Sequence, residues 1–448
     1  MLTSRPARRR PVAWRRARAR RAMGATLLLA ALGLTVAACA RQAAPRTITL
    51  RVLNWAPELE LELEQRIVRG FEADRPHVRV VVESVVNNYG EKLAASIASG
   101  TPPDVFLLDV PDIPTFVERG LALDLSPYLS RVGYDRDAAF PEVLEVFARG
   151  PRLFAFPKDF TPLVIYYNRR VFERFGVPEP PRDGWTWDEF LETALALTHD
   201  TTGSGEPDVY AVDFPRALYQ WVPFVWSAGG DILSPDGSRT TGYLDGPATV
   251  ETFRFLTDLV LRHRVTPGVQ FVAGGDASRS GRFFSGRQAM MISGHWSMPL
   301  LLKYAARGDL ELGVAPIPHR PGVEPTTAIY VSGWAVPANV RHKRLAVELA
   351  AYLAGPDAQR ARAETRLGIP ALKAIAEDVA EHDPTGVERA FLDQVAHGRM
   401  PWGAVVMDFH RIERASFDIM DRRLLRGEDV QAAASDVARA LDRVLERR

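Results

Sequence analysis

Short strand patterns alternate with helix patterns near the start of the chain, and this alternation restricts the fold more than any other feature. Apolar residues at every second position from Ile48 predict a strand, and apolar residues at every fourth position from Leu59 predict a helix. The pattern then continues with a strand over 78–86, a helix over 91–99 and a buried strand over 105–108. Such alternation predicts a parallel sheet covered by helices on both faces, with ligands bound at the carboxyl ends of the strands. Trp55 and Asp109 each follow such an end.

A second block of alternating elements begins near Pro157. We expect strands at 164–168, 209–214, 312–317 and 334–336, and helices at 186–198, 247–263 and 343–353. Helix patterns with breaks near prolines continue to Leu445, and the sequence has no internal repeat. Since a chain of 448 residues is long for a single core, we predict two α/β lobes from residue 46 onward.

The first 38 residues have the composition of an export signal. Nine arginines precede an apolar run over 22–38 that ends in small residues. The only cysteine, Cys39, follows directly and resembles the acylated cysteine of a bacterial lipobox. We therefore interpret 1–38 as a removed signal peptide and 39–46 as a lipidated tether that holds the protein at the membrane. An uncleaved transmembrane anchor with an incidental cysteine is the alternative.

Without this segment, the chain carries a net negative charge. Removal of the nine arginines leaves 47 basic residues against 55 acidic residues, a net charge of −8. A body of this sign has no general attraction for phosphate backbones, so nucleic acid is not an expected partner. The body also lacks a thiol for a disulfide or a cysteine-based metal site.

Signatures of common enzyme classes are missing from the sequence. No lysine follows a glycine, which excludes the phosphate-binding loop of nucleotide hydrolases, and HExxH, GxSxG and GxGxxG motifs are absent. The polar segment from Asp200 resembles a calcium loop, but Ala211 stands where the bidentate glutamate is required. We therefore expect no enzyme activity, no cofactor and no bound metal. A carboxylate pair for glycoside cleavage stays open, because it depends on distances in the fold.

Tryptophans concentrate at turns next to glycine or proline. Eight follow the signal segment: Trp55, Trp185, Trp187, Trp221, Trp226, Trp296, Trp334 and Trp402. Indole faces suit the apolar C–H faces of pyranoses, and nearby carboxylates suit their hydroxyl groups, so the set indicates a carbohydrate cleft, although core packing is the alternative for any single one. Trp185 and Trp187 are the exception, because Thr186 and Glu189 have the spacing of a capping box.

Six motifs resemble those of the family 1 extracellular solute-binding proteins, the group that includes maltose-binding components of bacterial importers. They occur in this order: Gly100-Thr-Pro-Pro-Asp104-Val-Phe-Leu-Leu-Asp109, Phe154-Ala-Phe-Pro-Lys158-Asp-Phe160, Ile165-Tyr-Tyr-Asn168, Trp185-Thr-Trp-Asp-Glu-Phe190, Phe284-Ser-Gly-Arg-Gln-Ala-Met290 and Arg366-Leu-Gly-Ile-Pro370. The resemblance implies a two-lobed, periplasmic-binding-protein-like α/β fold of type II, whose hinged lobes close over a ligand cleft. It places lobe 1 in 47–159 and 331–376 and lobe 2 in 160–330 and 377–448.

The resemblance also implies where ligand would be contacted. Contacts from side chains, or from the backbone of the hinge strands, are expected at Asn54, Trp55, Tyr89, Asp109, Phe160, Tyr219, Trp226, Trp296, Tyr330, Ser332, Gly333, Trp334, Arg366 and Trp402. Asp109 would accept hydrogen bonds from sugar hydroxyls, and Trp296 would stack under a ring. Hinge crossings are expected near Phe160, near Tyr330 and over 376–386.

These observations predict a binding protein rather than an enzyme. We expect an extracytoplasmic, lipid-anchored monomer that captures a mono- or oligosaccharide and delivers it to the permease subunits of an ABC transporter, whose ATPase is a separate chain. A glycerophosphodiester or a polyamine is the alternative ligand, and several free arginines or a second free carboxylate beside Asp109 would favour it. A secreted polysaccharide-cleaving enzyme and a receptor-docking sensor module are alternatives from other classes. The Lys158–Asp159 pair is open between a solvated ion pair and a ligand contact.

Overall fold

The computed structural model describes residues 47–267, 281–407 and 409–446. The predicted signal peptide, tether and lipidation site Cys39 lie outside these residues. None of the helices in these ranges combines the length and the apolar composition that a membrane span requires.

The chain divides into two compact units of very different size. Among the described residues, the small unit comprises 47–49 with 75–79, and within it the Ile48 amide donates to the carbonyl of His77 at 2.8 Å. The large unit comprises 50–74 and the described residues from Val80 onward. The candidate site lies entirely within the large unit.

Short strands and helices are distributed over all the described parts of the chain. The strands are β1 Ile48–Asn54, β2 Val78–Ser84, β3 Val105–Asp109, β4 Ala148–Arg149, β5 Arg152–Leu153, β6 Ala155–Pro162, β7 Val164–Asn168, β8 Tyr210–Val212, β9 Gln288–Ser293, β10 Leu312–Ala315, β11 Thr327–Ala335, β12 Ile369–Pro370 and β13 Gly398–Arg399. The helices are α1 Glu58–Ala73, α2 Tyr89–Ala98, α3 Ile113–Glu118, α4 Leu129–Val132, α5 Pro141–Val146, α6 Arg169–Phe175, α7 Trp187–Ala196, α8 Leu218–Trp226, α9 Pro247–Leu261, α10 Met298–Ala305, α11 Lys343–Leu353, α12 Pro356–Ala363, α13 Lys373–Glu381, α14 Val387–Asp393, α15 His410–Arg426 and α16 Val430–Leu445.

A seven-stranded sheet carries the first strands of the chain. Its order is β12-β6-β11-β3-β1-β2, and β13 pairs with β11. β1 and β3 are parallel, with Val52 opposite Val105, as the alternation of elements predicts. β11 comes from much later in the chain, lies between β3 and β6, and is antiparallel to both. The sheet is therefore mixed rather than wholly parallel, because a returning strand occupies its centre.

A four-stranded sheet with the order β10-β7-β9-β8 forms a second layer. β7 is antiparallel to β9 and β10, whereas β8 is parallel to β9. Every residue of β7 and β9 is buried, so both faces of these strands meet apolar neighbours. The surrounding core combines residues between 165 and 317 with the C-terminal helices α15 and α16. The chain end therefore packs with the second sheet.

The chain passes from one sheet to the other near the predicted hinges. β6 ends at Pro162 in the seven-stranded sheet, and β7 starts at Val164 in the four-stranded sheet. The return runs from β10 to β11 over 316–326. Phe160 and Tyr330 lie inside β6 and β11, a few residues from these crossings. The assignment of segments to hinged lobes stays a prediction.

Candidate functional site

A cavity of about 540 Å³ is bounded by segments from both sheets, and this volume suits a small-molecule ligand. Seven of the predicted contacts line it: Trp55, Asp109, Phe160, Tyr219, Trp296, Tyr330 and Ser332. Its other walls come from Pro57, Glu60, Pro111, Lys158, Asp159, Thr161, Val331, Leu367, Gly368 and Glu413. The cavity thus combines aromatic faces with carboxylates and hydroxyls.

Trp55 follows the carboxyl end of β1 and is held by two neighbours that do not line the cavity. The Tyr89 ring meets the Trp55 ring edge-on, with 5.0 Å between centroids. The Tyr89 hydroxyl donates to the carbonyl of Leu107 at 2.6 Å, which ties the pair to β3. Asn54 is buried, and its Oδ1 accepts from the Ala56 amide at 3.2 Å. Asn54 and Tyr89 therefore position Trp55 instead of lining the cavity.

Asp109 ends β3 and presents a carboxylate to the cavity. Its Oδ1 accepts from the Val110 amide at 2.9 Å, which starts a short 3₁₀ turn. Burial raises the pKa of Asp109 to about 7, and the nearby negative charges of Asp112, Asp159 and Glu413 add to the rise. Near neutral pH the side chain can therefore accept or donate a hydrogen bond to ligand.

The Lys158–Asp159 pair, left open by the sequence, lies in the cavity wall. Lys158 Nζ is 2.5 Å from Asp159 Oδ2 and 3.2 Å from Glu60 Oε1, and Ser332 Oγ donates to Asp159 Oδ1 at 2.5 Å. Burial alone would lower the pKa of Lys158, but Asp159 and Glu60 raise it above its usual value. The lysine therefore stays charged, and two carboxylates share its charge. Gly368 allows the loop after α12 to approach, because a Cβ there would lie 2.8 Å from the Asp159 Cβ.

Three aromatic rings of the cavity wall meet in one corner, which we call the ring corner: Tyr219, Trp296 and Tyr330. Their centroids are 6.0–6.3 Å apart and their planes are inclined by 71–88° to one another. Trp296 sits in the 3₁₀ turn after β9 and stays 40 % exposed. Its six-membered ring lies against Gly294, where a Cβ would come within 2.5 Å of the ring. The glycine thus allows the indole to fold over the turn.

Trp226 and Trp402 line a smaller adjoining cavity of about 30 Å³. Both indole N–H groups donate to Asp231 Oδ1, at 3.1 Å and 2.7 Å. Arg399 pairs with the other oxygen of Asp231 and lies over the Trp226 ring, 4.5 Å from its centroid. Because their N–H groups are engaged, only the ring faces of these two tryptophans are available to a ligand.

Three more predicted contacts, in addition to Asn54 and Tyr89, lie away from both cavities. Trp334 is fully buried, and Arg362 lies 5.5 Å from its ring centroid, so this indole packs in the core of the seven-stranded sheet. Gly333 faces Phe147, which a Cβ would approach to 2.7 Å. Arg366 forms an ion pair with the buried Glu388 at 2.5 Å. The prediction that Gly333, Trp334 and Arg366 contact ligand therefore has no support in the geometry, because none of them lines either cavity.

Trp185 and Trp187 have the structural role that the sequence predicts. The Thr186 and Glu189 side chains form a capping box at the start of α7, and the rings of Trp185 and Phe190 pack 5.3 Å apart. Both tryptophans are buried.

The Asp200 loop forms a hydrogen-bonded turn. Asp200 Oδ1 accepts from the Gly203 amide at 2.8 Å, and Oδ2 accepts from the Gly205 amide at 2.6 Å. The Gly205 amide, followed by others of the loop, lowers the pKa of Asp200 to about 2. Backbone donors therefore satisfy both oxygens, and among the described residues no cluster of histidine, cysteine and carboxylate side chains could hold a metal ion.

The residues that sequence reasoning missed come mostly from distant segments. Glu60 and Glu413 belong to α1 and α15, on helix faces with no motif around them. The Lys158–Asp159 pair, which the sequence left open, carried a signal because it follows a proline inside an apolar run. Only the pairing of β6 with β11, which sets Ser332 opposite Asp159, reveals its role.

Comparison with known proteins places this geometry among binding proteins. Residues 56–360 match the family described as bacterial extracellular solute-binding proteins. The galactooligosaccharide-binding protein of Bacillus subtilis is 23% identical over 360 residues, which cover 79% of this chain and 81% of that protein. An ABC substrate-binding protein from Listeria monocytogenes in complex with cycloalternan has a TM-score of 0.79 at 21% identity and covers 89% of this chain and 99% of its own. The maltose-bound MalE3 of T. maritima has a TM-score of 0.73 at 21% identity, covering 89% of this chain and 100% of its own. The two-lobed fold of the solute-binding proteins is therefore the fold of this chain.

Proposed function

The chain belongs to the family of bacterial extracellular solute-binding proteins, and from that premise we propose that its cavity captures a mono- or oligosaccharide for delivery to an ABC transporter. The observation that carries this proposal is the set of aromatic faces and carboxylates around one cavity. Indole and phenol rings pack against the apolar faces of a pyranose, while carboxylates accept from its equatorial hydroxyls. The galactooligosaccharide-binding relative supports the same ligand class.

The walls of the cavity belong to two different sheets, and we infer that the protein captures its ligand by closing these walls over it. Trp55 and Asp109 come from the seven-stranded sheet, whereas Tyr219 and Trp296 come from segments packed on the four-stranded sheet. A ligand that touches both sets stabilises a closed arrangement through contacts that an open arrangement lacks. The permease subunits of the transporter would recognise this closed form, and their ATPase would be a separate chain.

The proposal includes the cellular setting. An acylated Cys39 would hold a monomeric protein at the outer face of a membrane after removal of residues 1–38. The body would bind solute without catalysing a reaction, which agrees with the missing enzyme motifs.

A glycerophosphodiester is a poorer candidate, because a buried phosphate requires cations or unpaired donors. Among the described residues that line the cavity, Lys158 is the lone cation, and Glu60 and Asp159 already share its charge. The charges of the cavity wall favour a neutral or cationic ligand.

Isothermal titration of the mature protein against a panel of neutral and amine-bearing saccharides tests the proposal. We expect saturable binding of at least one saccharide. Leu425→Ser, at a position 65 % exposed and outside the cavity lining, is the matched control and should bind equally. Absence of binding across the panel would refute the carbohydrate function. Release of reducing ends from polysaccharides by the same preparation would identify an enzyme instead.

A further inference from the structure

Two carboxylates of the cavity have no basic partner among the described residues of the cavity lining. Asp109 and Glu413 both line the cavity, and within the described residues neither forms an ion pair. Burial raises the pKa of Glu413, and the positive charge of Arg414 opposes this rise without a hydrogen bond to the carboxylate. Carboxylates with reduced access to water are costly unless a positive charge or donors compensate them. Both carboxylates are therefore available to pair with a positively charged group of a ligand.

The lysine of the cavity cannot supply this charge. Lys158 Nζ contacts Glu60 and Asp159 at 3.2 and 2.5 Å, so its single positive charge is already outnumbered. When the four carboxylates among the described lining residues are ionised, the cavity wall carries an excess of negative charge.

The ring corner lies beside these carboxylates. Burial raises the pKa of the Tyr330 hydroxyl well above its usual value, and the negative charges of Glu413 and Asp109 add to the rise. Asp109 and Glu413 share the cavity lining with the ring corner, and Glu413 also lines the small adjoining cavity together with Tyr219 and Tyr330. A cation within about 6 Å of several ring centroids is attracted by the negative faces of the rings. Three rings with centroids 6.0–6.3 Å apart and steeply inclined planes can offer this attraction from several sides.

We propose that the cavity selects a saccharide that carries a protonated amine, with the ammonium group seated between Asp109, Glu413 and the ring corner. The remaining sugar ring would pack against Trp55 and donate hydroxyls to Asp159. This inference rests on the proposed carbohydrate function and narrows its ligand class to amino sugars. A neutral sugar would leave both carboxylates without a counter-charge, and a simple polyamine would leave the hydroxyl-accepting wall unused.

Matched pairs of ligands test the proposal, because N-acetylation removes the charge and keeps the ring. Glucosamine, galactosamine and chitobiose are titrated against their N-acetyl counterparts at neutral pH and low salt, with spermidine as the amine without a sugar ring. We expect at least one amine-bearing saccharide to bind roughly 10-fold or more tightly than its N-acetyl counterpart. Added salt should reduce this preference.

Two variants assign the preference to the proposed carboxylates. The double variant Asp109→Asn, Glu413→Gln should abolish the preference for the amine-bearing saccharide. If the double variant does not fold, Glu413→Gln alone is measured and should reduce this preference. Asp357→Asn, which alters an exposed carboxylate outside the cavity, should retain it. Equal or tighter binding of the N-acetyl forms would overturn the inference and leave the carbohydrate function standing. Binding of spermidine with no saccharide would overturn both.

Discussion

Replacement of two tryptophans by alanine separates ligand binding from stability. Trp296 lies in the cavity wall and is 40 % exposed, whereas Trp334 is fully buried. An aromatic side chain buries up to about 250 Å², so about 100 Å² of Trp296 is open to a ligand. At about 25 cal/mol per Å², covering half or all of this area contributes about 1.2–2.5 kcal/mol. Trp296→Ala should therefore weaken saccharide binding roughly 8- to 70-fold.

Trp334→Ala should have the opposite profile. Removal of a fully buried indole costs about 3–5 kcal/mol of unfolding free energy, because the surrounding core cannot close the space. Calorimetric titration gives the affinity and urea unfolding gives the stability of both variants beside the parent protein. We expect Trp296→Ala to unfold within about 0.5 kcal/mol of the parent. A large stability loss in Trp296→Ala with unchanged affinity would refute the assignment of this indole to the cavity wall.

Three further perturbations follow from the structure and the sequence. Asp109→Asn removes a carboxyl group that the folded protein prefers to keep protonated. The pKa of Asp109 in the folded parent is about 7, above the usual 3.8, so the parent loses stability as the pH rises between these values. This pKa difference corresponds to at most about 4 kcal/mol of unfolding free energy. Because Asp109 keeps some contact with solvent, we expect urea unfolding to show the variant about 2 kcal/mol more stable than the parent at pH 8 and equally stable at pH 3. A stability advantage of the variant that grows toward low pH would contradict the expected pH dependence. Glu64→Gln breaks the buried ion pair between α1 and α12, in which Arg362 bonds Glu64 at 2.5 and 2.7 Å, and should cost about 3–5 kcal/mol of unfolding free energy. The exposed control Asp357→Asn should cost less than about 1 kcal/mol, and similar losses in both variants would exclude a special role for the buried pair. Cys39→Ser should move the protein from the membrane fraction to the soluble fraction of cells, and continued membrane association would favour an uncleaved anchor.

Local patterns predicted most elements with small errors at their ends. The helix expected over 343–353 has those bounds, and the one expected over 247–263 ends at Leu261. β11 was expected only as a short strand over 334–336, but it runs from Thr327 to Ala335. Its length arises from pairing with β3 and β6 on either side, which no local period reveals.

The candidate site was predictable where a side chain follows the end of a strand. Trp55 and Asp109 lie where the alternation of strand and helix places them, and Trp296 lies on the turn that Gly294 suggests. Trp334 has the same glycine neighbour, yet it faces the core. A glycine beside a tryptophan indicates a tight backbone and leaves the direction of the indole undetermined.

The sequence by itself determined the class of fold, the capping box at Thr186 and the approximate place of the aromatic walls, because strand and helix periods and capping depend on residues near one another in the chain. Only the tertiary structure decided which residues share the cavity. Glu60, Asp159 and Glu413 are separated by roughly 100 to 250 positions, and β11 had to return between β3 and β6 before Ser332 could meet Asp159. Such long-range pairings depend on the packing of the whole chain, since a one-residue change of strand register turns each side chain to the other face.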